Sequence, residues 1–348
     1  MDDLHHAPSS PTTPSANAAA RPRHPLDADG SVELAVVERS GLAESRHLGA
    51  AVVVNAQGDV LDALGDAEAT IYPRSCLKPL QALAVLRAGV DLEGAQAVLA
   101  MASHAGTPAH QQVVRDMLAR SNSGPEDLLC PPDWPYDRAT ARTATEKTRL
   151  FMNCSGKHAA FLLACERNGW NKKTYDALDH PLQSAIRDTI EEFAGERPDH
   201  AGVDGCGAPV YALTLRGLAT GIARVTGAAT ADPSSAAAHL TRSVLADAWA
   251  LDGTGRANTV TIEELGVVAK LGAEGVLVIG TTGGTAVALK MLDGNLRAGT
   301  LVALRLLTDL GAVDADAAQR VVDHTLERVL GGGEVVGSIR LGAAFGGR

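Results

Sequence analysis

The chain has 348 residues, 45% of them hydrophobic, and a formal net charge of −10, so it holds enough apolar material for one large domain or two modest ones. That acidity excludes a dominant nucleic-acid or anionic-membrane surface, and no apolar run reaches the roughly 18 residues that a membrane-spanning helix needs. Five cysteines without an export-type leader predict reduced thiols in a cytoplasmic protein that acts on a small molecule.

Residues 1–30, rich in Pro, Ser, Ala and His, offer nothing to bury and predict a disordered tail, with 31–348 as one folded unit. Valine-rich runs at 32–37, 49–55 and 60–64 predict a strand meander, with Asn55-Ala56-Gln57-Gly58-Asp59 as a turn. Helix-period apolar patterns follow at 77–88, 108–120, 156–168, 181–195 and 209–226. Residues 275–279 and 285–289 flank Thr281-Thr282-Gly283-Gly284 and predict an antiparallel hairpin. One or two helices fill 298–330, and 334–341 has the pattern of a final strand. Strands at both ends with helices between them predict an α/β fold whose antiparallel sheet is assembled from the N- and C-terminal strands.

Lysine is scarce, seven residues against 24 arginines, which draws attention to those that remain. An ammonium can lose its proton when desolvated or crowded by another cation, whereas a guanidinium stays charged, so a general base or a metal-binding amine must be lysine. In Arg74-Ser75-Cys76-Leu77-Lys78-Pro79 a serine stands three residues before a lysine at a predicted helix start. That spacing puts Ser75 and Lys78 on one face, with the helix N-terminus favouring negative charge on an attacking oxygen. Taken alone, the same pattern also suits an N-cap serine beside a solvated lysine.

Three further clusters carry polar chemistry. Met101-Ala102-Ser103-His104-Ala105-Gly106-Thr107-Pro108 suits a pocket-lining loop, or a cap by Ser103 or Thr107 for the helix over 108–120. Asn153-Cys154-Ser155-Gly156-Lys157-His158 is followed 52 residues after Cys154 by Asp204-Gly205-Cys206-Gly207. Cys154, Lys157 and Cys206 could hold zinc with water as fourth ligand, although Cys-x-x-Lys is not a standard zinc spacing and buried cysteines often serve as small hydrophobes. Phe151 stands where a phosphate loop would need glycine, so nucleotide binding is rejected. Lys270, in Val267-Val268-Ala269-Lys270-Leu271-Gly272-Ala273-Glu274-Gly275, reaches either the pocket or Glu274 on the surface.

Together with Val37-Glu38-Arg39-Ser40-Gly41 and Glu44-Ser45, these motifs resemble the bacterial asparaginase II family, the zinc-containing Rhizobium type, over roughly residues 31–348. The resemblance implies a fold like the serine β-lactamases and serine-dependent glutaminases, and hydrolysis of L-asparagine to L-aspartate and ammonia. It implies two pairs, Ser75 with Lys78 and Ser103 with Lys270, zinc on Cys154, Lys157 and Cys206, and Arg74, His158 and Asp204 near the substrate. A homodimer is expected on the same ground.

Two positions depart from the family pattern: an acidic residue is expected where Thr107 stands, and an aspartate where Asn258 stands. Neutral residues there bear on substrate positioning, not on the Ser–Lys chemistry. Two other readings share the motifs: a Ser-x-x-Lys hydrolase of glutamine, a β-lactam or a D-amino-acid peptide, and a non-catalytic zinc-dependent ligand-binding protein.

Overall fold

The 13-residue strand Leu42–Val54 is the spine of the molecule, because residues 49–54 are buried on both faces while most of 42–48 faces solvent. The computed structural model describes residues 24–346. Most of the expected tail, 1–23, lies outside the described residues. Residues 24–30 lie against the domain, where Thr70 N donates to His24 O at 2.7 Å and Pro25 bridges Thr70.

In chain order the strands are β1 (Val32–Arg39), β2 (Leu42–Val54), β3 (Val60–Leu64), β4 (Thr70–Ile71), β5 (Ala201–Val203), β6 (Pro209–Tyr211), β7 (Leu213–Thr214), β8 (Val268–Leu271), β9 (Val276–Gly280), β10 (Ala286–Met291), β11 (Val329–Gly331) and β12 (Glu334–Leu341). The helices are α1 (Lys78–Arg87), α2 (Ala95–Leu99), α3 (Pro108–Arg120), α4 (Arg138–Thr143), α5 (Ser155–Asn168), α6 (Pro181–Ala194), α7 (Leu215–Ala231), α8 (Ala236–Ala246), α9 (Ala257–Leu265), α10 (Gly299–Asp309) and α11 (Ala315–Thr325). The main sheet runs β11-β12-β1-β2-β10-β9-β8, with β3 also paired to β2, and every pairing is antiparallel. The sheet expected from the two chain ends is therefore present, since β1 and β12 pair directly.

Side chains that alternate across a strand feed two cores. Ala50, Val52 and Val54 join Leu218, Ile222 and Ala223 of α7 on one face. Ala51 and Val53 join Val302 and Leu306 of α10 on the other. Each fully buried Val or Leu contributes about 1.5–3 kcal/mol of transfer free energy. Helix α1 is buried from Lys78 to Val85, so its polar N-terminal residues open into the interior and not into solvent.

One expected helix changes at its start, and the two helices that 298–330 admits are both present. Residues 209–214 form β6 and β7, and the helix begins only at Leu215, where Thr214 Oγ1 accepts from Gly217 N at 2.8 Å. A short apolar run has no period of its own, and here strand pairing and the threonine cap decide. The segment 298–330 divides into α10 and α11 around Gly311, whose φ of 64° a continuous helix does not admit, and its end pairs as β11. Among the described residues, no helix is long and apolar enough to cross a membrane.

Candidate active site

Ser75 lies in a single 3₁₀ turn, Arg74–Leu77, that runs directly into α1. Its hydroxyl caps nothing: α1 has no side-chain cap, and Ser75 Oγ has no hydrogen-bond partner among the described residues. The turn is anchored from below by Cys76, whose Sγ donates to Lys270 O at 3.1 Å. Burial pushes the Cys76 thiol up to about 12, so the sulfur beside Ser75 is no rival nucleophile near neutral pH. Gly272 makes the approach possible, because a Cβ there would stand 3.0 Å from Cys76 Sγ and 3.1 Å from Pro73 O. Arg74 precedes the serine with φ of 51°, a left-handed backbone uncommon outside glycine.

Lys78, Ser103 and Lys270 meet at one point. Lys78 Nζ donates to Ala102 O at 2.6 Å and lies 2.9 Å from Ser103 Oγ. Lys270 Nζ lies 2.8 Å from the same oxygen and donates to Leu271 O at 2.8 Å. The lysine side chains are 1% and 0% exposed, which rules out both the solvated first-turn lysine and the surface pair with Glu274. Glu274 instead pairs with Arg74 across 3.8 Å. The loop bearing Ser103 is stitched on both sides: Ser103 N donates to Leu251 O, Ala105 N to Asp252 O and His104 N to Asn153 O. Thr107 takes the structural role open to it, since its Oγ1 caps α3 by accepting from His110 N.

Both lysine nitrogens touch one hydroxyl, so they stand within roughly 6 Å, where two full charges repel by about 3 kcal/mol at an effective dielectric near 20. Burial first, and the Lys78 charge second, bring Lys270 down to about 8. Around pH 7 about a tenth of such a lysine is neutral. The cluster therefore holds an amine that can take a proton from a hydroxyl.

The third buried lysine has the opposite fate. Lys157 Nζ donates to Cys206 Sγ at 3.1 Å. Burial opposes its charge, but Cys206, Cys154 and Asp204 outweigh that and hold it protonated. The hydrogen bond from Cys154 and the Lys157 charge, against burial, keep Cys206 well below the usual thiol range. Cys154 is pushed up by that same hydrogen bond and by burial. Cys154 Sγ also donates to Asn153 Oδ1 at 3.1 Å, and Cys206 is the sulfur that carries charge beside the ammonium. Gly156 lets α5 reach this place, since a Cβ would stand 2.6 Å from Leu99 O.

Two sulfurs and an amine fit zinc by the chemistry of the donors. Among the described residues no three His, Cys, Asp or Glu side chains gather closely enough to hold a metal ion, so such a site depends on Lys157. His158 is poorly suited as a ligand. Leu129 N donates to Tyr175 Oη at 2.7 Å, so that hydroxyl donates to His158 Nδ1 at 2.8 Å and leaves the ring proton on Nε2. That proton faces Cys206, which partly offsets the burial that lowers the His158 pKa.

Asp204 and Cys206 sit on the turn of the β5–β6 hairpin. Arg74 Nε donates to Asp204 Oδ1 at 2.8 Å, placing a half-buried ion pair beside Ser75. The structure thus brings Lys78, Ser103 and Lys270 into contact, sets Arg74 and Ser75 on the turn that leads into the Lys78 helix, and holds Cys154, Lys157, Cys206 and His158 in a second cluster. What sequence reasoning missed is Asp252, an acid at the end of the apolar run Trp249-Ala250-Leu251. It lies within the influence of Lys270.

Among solved structures the chain is similar to a β-lactamase from Mycobacterium bovis, at 17% identity over 80% of this chain and 95% of that one, with a TM-score of 0.43. It is also similar to Mglu in 4.3 M NaCl, at 14% identity over 76% of this chain and 61% of that one, with a TM-score of 0.36. For Mglu in its L-glutamate binding form the figures are 14%, 80%, 64% and 0.37. At these identities the likeness concerns chain trace and not chemistry. No curated protein matches the sequence. The family model described as L-asparaginase II matches residues 35–341, a span that takes in the Ser–Lys cluster and both cysteine motifs. The chain therefore belongs to the L-asparaginase II family and is an amidohydrolase.

Proposed function

We propose that the protein hydrolyses the side-chain amide of L-asparagine to L-aspartate and ammonia through an acyl-enzyme on Ser75. The observation that carries this reading is Ser103 Oγ held between Lys78 and Lys270, the latter brought down to about 8. Neutral Lys270 draws the Ser103 proton, and Ser103 takes one from Lys78, leaving an amine beside Ser75. Lys78 then accepts the Ser75 proton as Oγ bonds to the carboxamide carbon. The C–N bond breaks as the relay returns a proton to the nitrogen, ammonia leaves, and water cleaves the ester. Backbone N–H groups at the Ser75 turn suit the oxyanion. Arg74 and Asp204 offer opposite charges for the α-carboxylate and α-ammonium of an amino acid.

Zinc held by Cys154, Lys157 and Cys206 would supply positive charge that keeps both sulfurs as thiolates and the lysine amine neutral. Lys157 would then no longer serve as their counter-ion. The same reading carries a homodimer in the cytoplasm.

A second assignment has its own support: Ser103 Oγ is already engaged by both lysines, whereas Ser75 Oγ has no partner. Ammonia release from L-asparagine and L-glutamine, measured for the wild type and for Ser75→Ala, tests the reading. Asparagine turnover lost in the variant is the expected result, and no turnover of either amide by folded wild type overturns it. Mass spectrometry of the acid-quenched enzyme separates the assignments, with the acyl group expected on the peptide bearing Ser75 and not on the one bearing Ser103.

A further inference from the structure

Asp252 is a buried carboxylate, 4% exposed, for which the proton relay has no use. Arg256 Nε donates to its Oδ1 at 2.5 Å, and Asn258 Nδ2 donates to its Oδ2 at 3.1 Å. On the other side of the Asn258 amide, Oδ1 accepts from Leu271 N at 2.9 Å. The carboxylate only accepts and the peptide N–H only donates, so the residue between them must do both, and an amide does. An aspartate at 258 would set two carboxylates against each other with one arginine to share.

The two ends of this bridge are the two halves of the Ser103–Lys270 contact. Main-chain carbonyls of Leu251 and Asp252 accept from Ser103 N at 3.0 Å and Ala105 N at 2.7 Å, which fixes the serine loop. Leu271 is the residue after Lys270, so the bond to its N–H fixes the strand that carries the lysine. We propose that Asp252 and Asn258 are positioning residues: they clamp the Ser103 loop to the Lys270 strand and supply the anion that balances the lysine pair. The proposal rests on the Ser–Lys hydrolase reading for its effect on turnover, but not for its effect on Lys270.

The groups that face Lys270 are Lys78, Cys76, Cys154 and Asp252, and of these Asp252 is the carboxylate that favours the charged lysine. Its removal therefore lets Lys270 lose its proton at lower pH. Arg256 is half exposed and binds the carboxylate from the solvent side, and His110 also lies within its influence.

The protein has only seven lysines, so lysine labelled with 13C at Cε gives a spectrum in which Lys270 can be followed through a pH titration and assigned with Lys270→Arg. In Asp252→Asn the Lys270 midpoint falls below the wild-type value. In Asn258→Ala, kcat falls by on the order of tenfold or more while KM stays within about threefold, because a clamp acts on reacting geometry and not on binding. The double variant D252N/N258D keeps one carboxylate and one amide in exchanged places, and brings kcat back to within about threefold of wild type where N258D alone does not.

An unmoved Lys270 midpoint in Asp252→Asn, or a double variant no better than the product of the two singles, overturns the clamp. Wild type that releases no ammonia while the Lys270 midpoint still moves would sink the hydrolase reading and leave the clamp standing. Asp252→Asn is isosteric, so the titration remains decisive if Asn258→Ala does not fold.

Discussion

The molecule buries lysine in two neighbouring clusters and shifts its proton affinity in opposite directions. Lys270 is crowded by a second lysine and brought down to about 8, whereas Lys157 is surrounded by sulfurs and Asp204 and held protonated. Both are fully buried, so desolvation is common to them and the neighbours decide. A buried lysine beside a lysine becomes a base, and a buried lysine beside thiolates becomes a counter-ion or, with metal, a ligand. The comparison also orders the expected consequences of substitution, since on the proposed reading breaking the first cluster removes chemistry and breaking the second removes folding energy.

The largest effect belongs to Lys270. Lys270→Met takes away the proton acceptor and is expected to lower kcat for amide hydrolysis on the order of 10³-fold or more, with the thermal midpoint little changed, because a buried amine gives way to an apolar chain of similar length. Stopped assays across pH 6–10 sharpen the point in the wild type. With Lys270 active as the neutral amine, activity is lost as pH falls through about 8 and gained as pH rises. An acid limb centred near pH 6 would point to a histidine and break the comparison.

The second cluster should fail differently. Cys206→Ala removes the acceptor 3.1 Å from Lys157 and leaves a buried ammonium short of its counter-charge. Loss of one partner of a buried ion pair costs about 3–5 kcal/mol. Thermal unfolding of metal-free protein is expected to show that loss, and Lys157→Met on the same background should recover part of it by deleting the stranded charge. If C206A keeps the wild-type melting temperature while losing turnover, the two clusters are not divided as described.

How much of this could be read from the chain depends on distance along it. The Ser75–Lys78 spacing, the Cys154–Lys157 spacing and the hairpin at Thr281–Gly284 are local, and local geometry follows from helix and turn periods. That Lys78 reaches Ser103, 25 residues away, and that Lys270 comes from an edge strand 167 residues further on, are facts of packing. The strand β8 itself left a weak signal, since Val268-Ala269-Lys270-Leu271 is short and carries a lysine that points to solvent in most proteins. The Asp252–Asn258 contact is six residues long, yet no helix period joins the two, because Gly253 and Gly255 turn the chain between them before α9 begins. Sequence reasoning marked Asn258 as a departure without a partner to explain it.

Thr107 is the other departure, and it gives the smallest effect. Its Oγ1 accepts from His110 N, while His110 Nδ1 accepts from Thr107 N, so the side chain closes a reciprocal cap at the start of α3. Thr107→Ala is expected to lower stability by about 0.5–2 kcal/mol, the usual worth of such a cap, with kcat unchanged. Thr107→Asp keeps an acceptor at the cap and adds a negative charge two residues beyond Ala105, whose N–H is tied to Asp252. If the pocket reads the substrate ammonium from this side, T107D lowers KM for L-asparagine with little change in melting temperature. If Arg74 and Asp204 set that contact alone, KM stays where it is, and the carboxylate at 107 is a cap and nothing more.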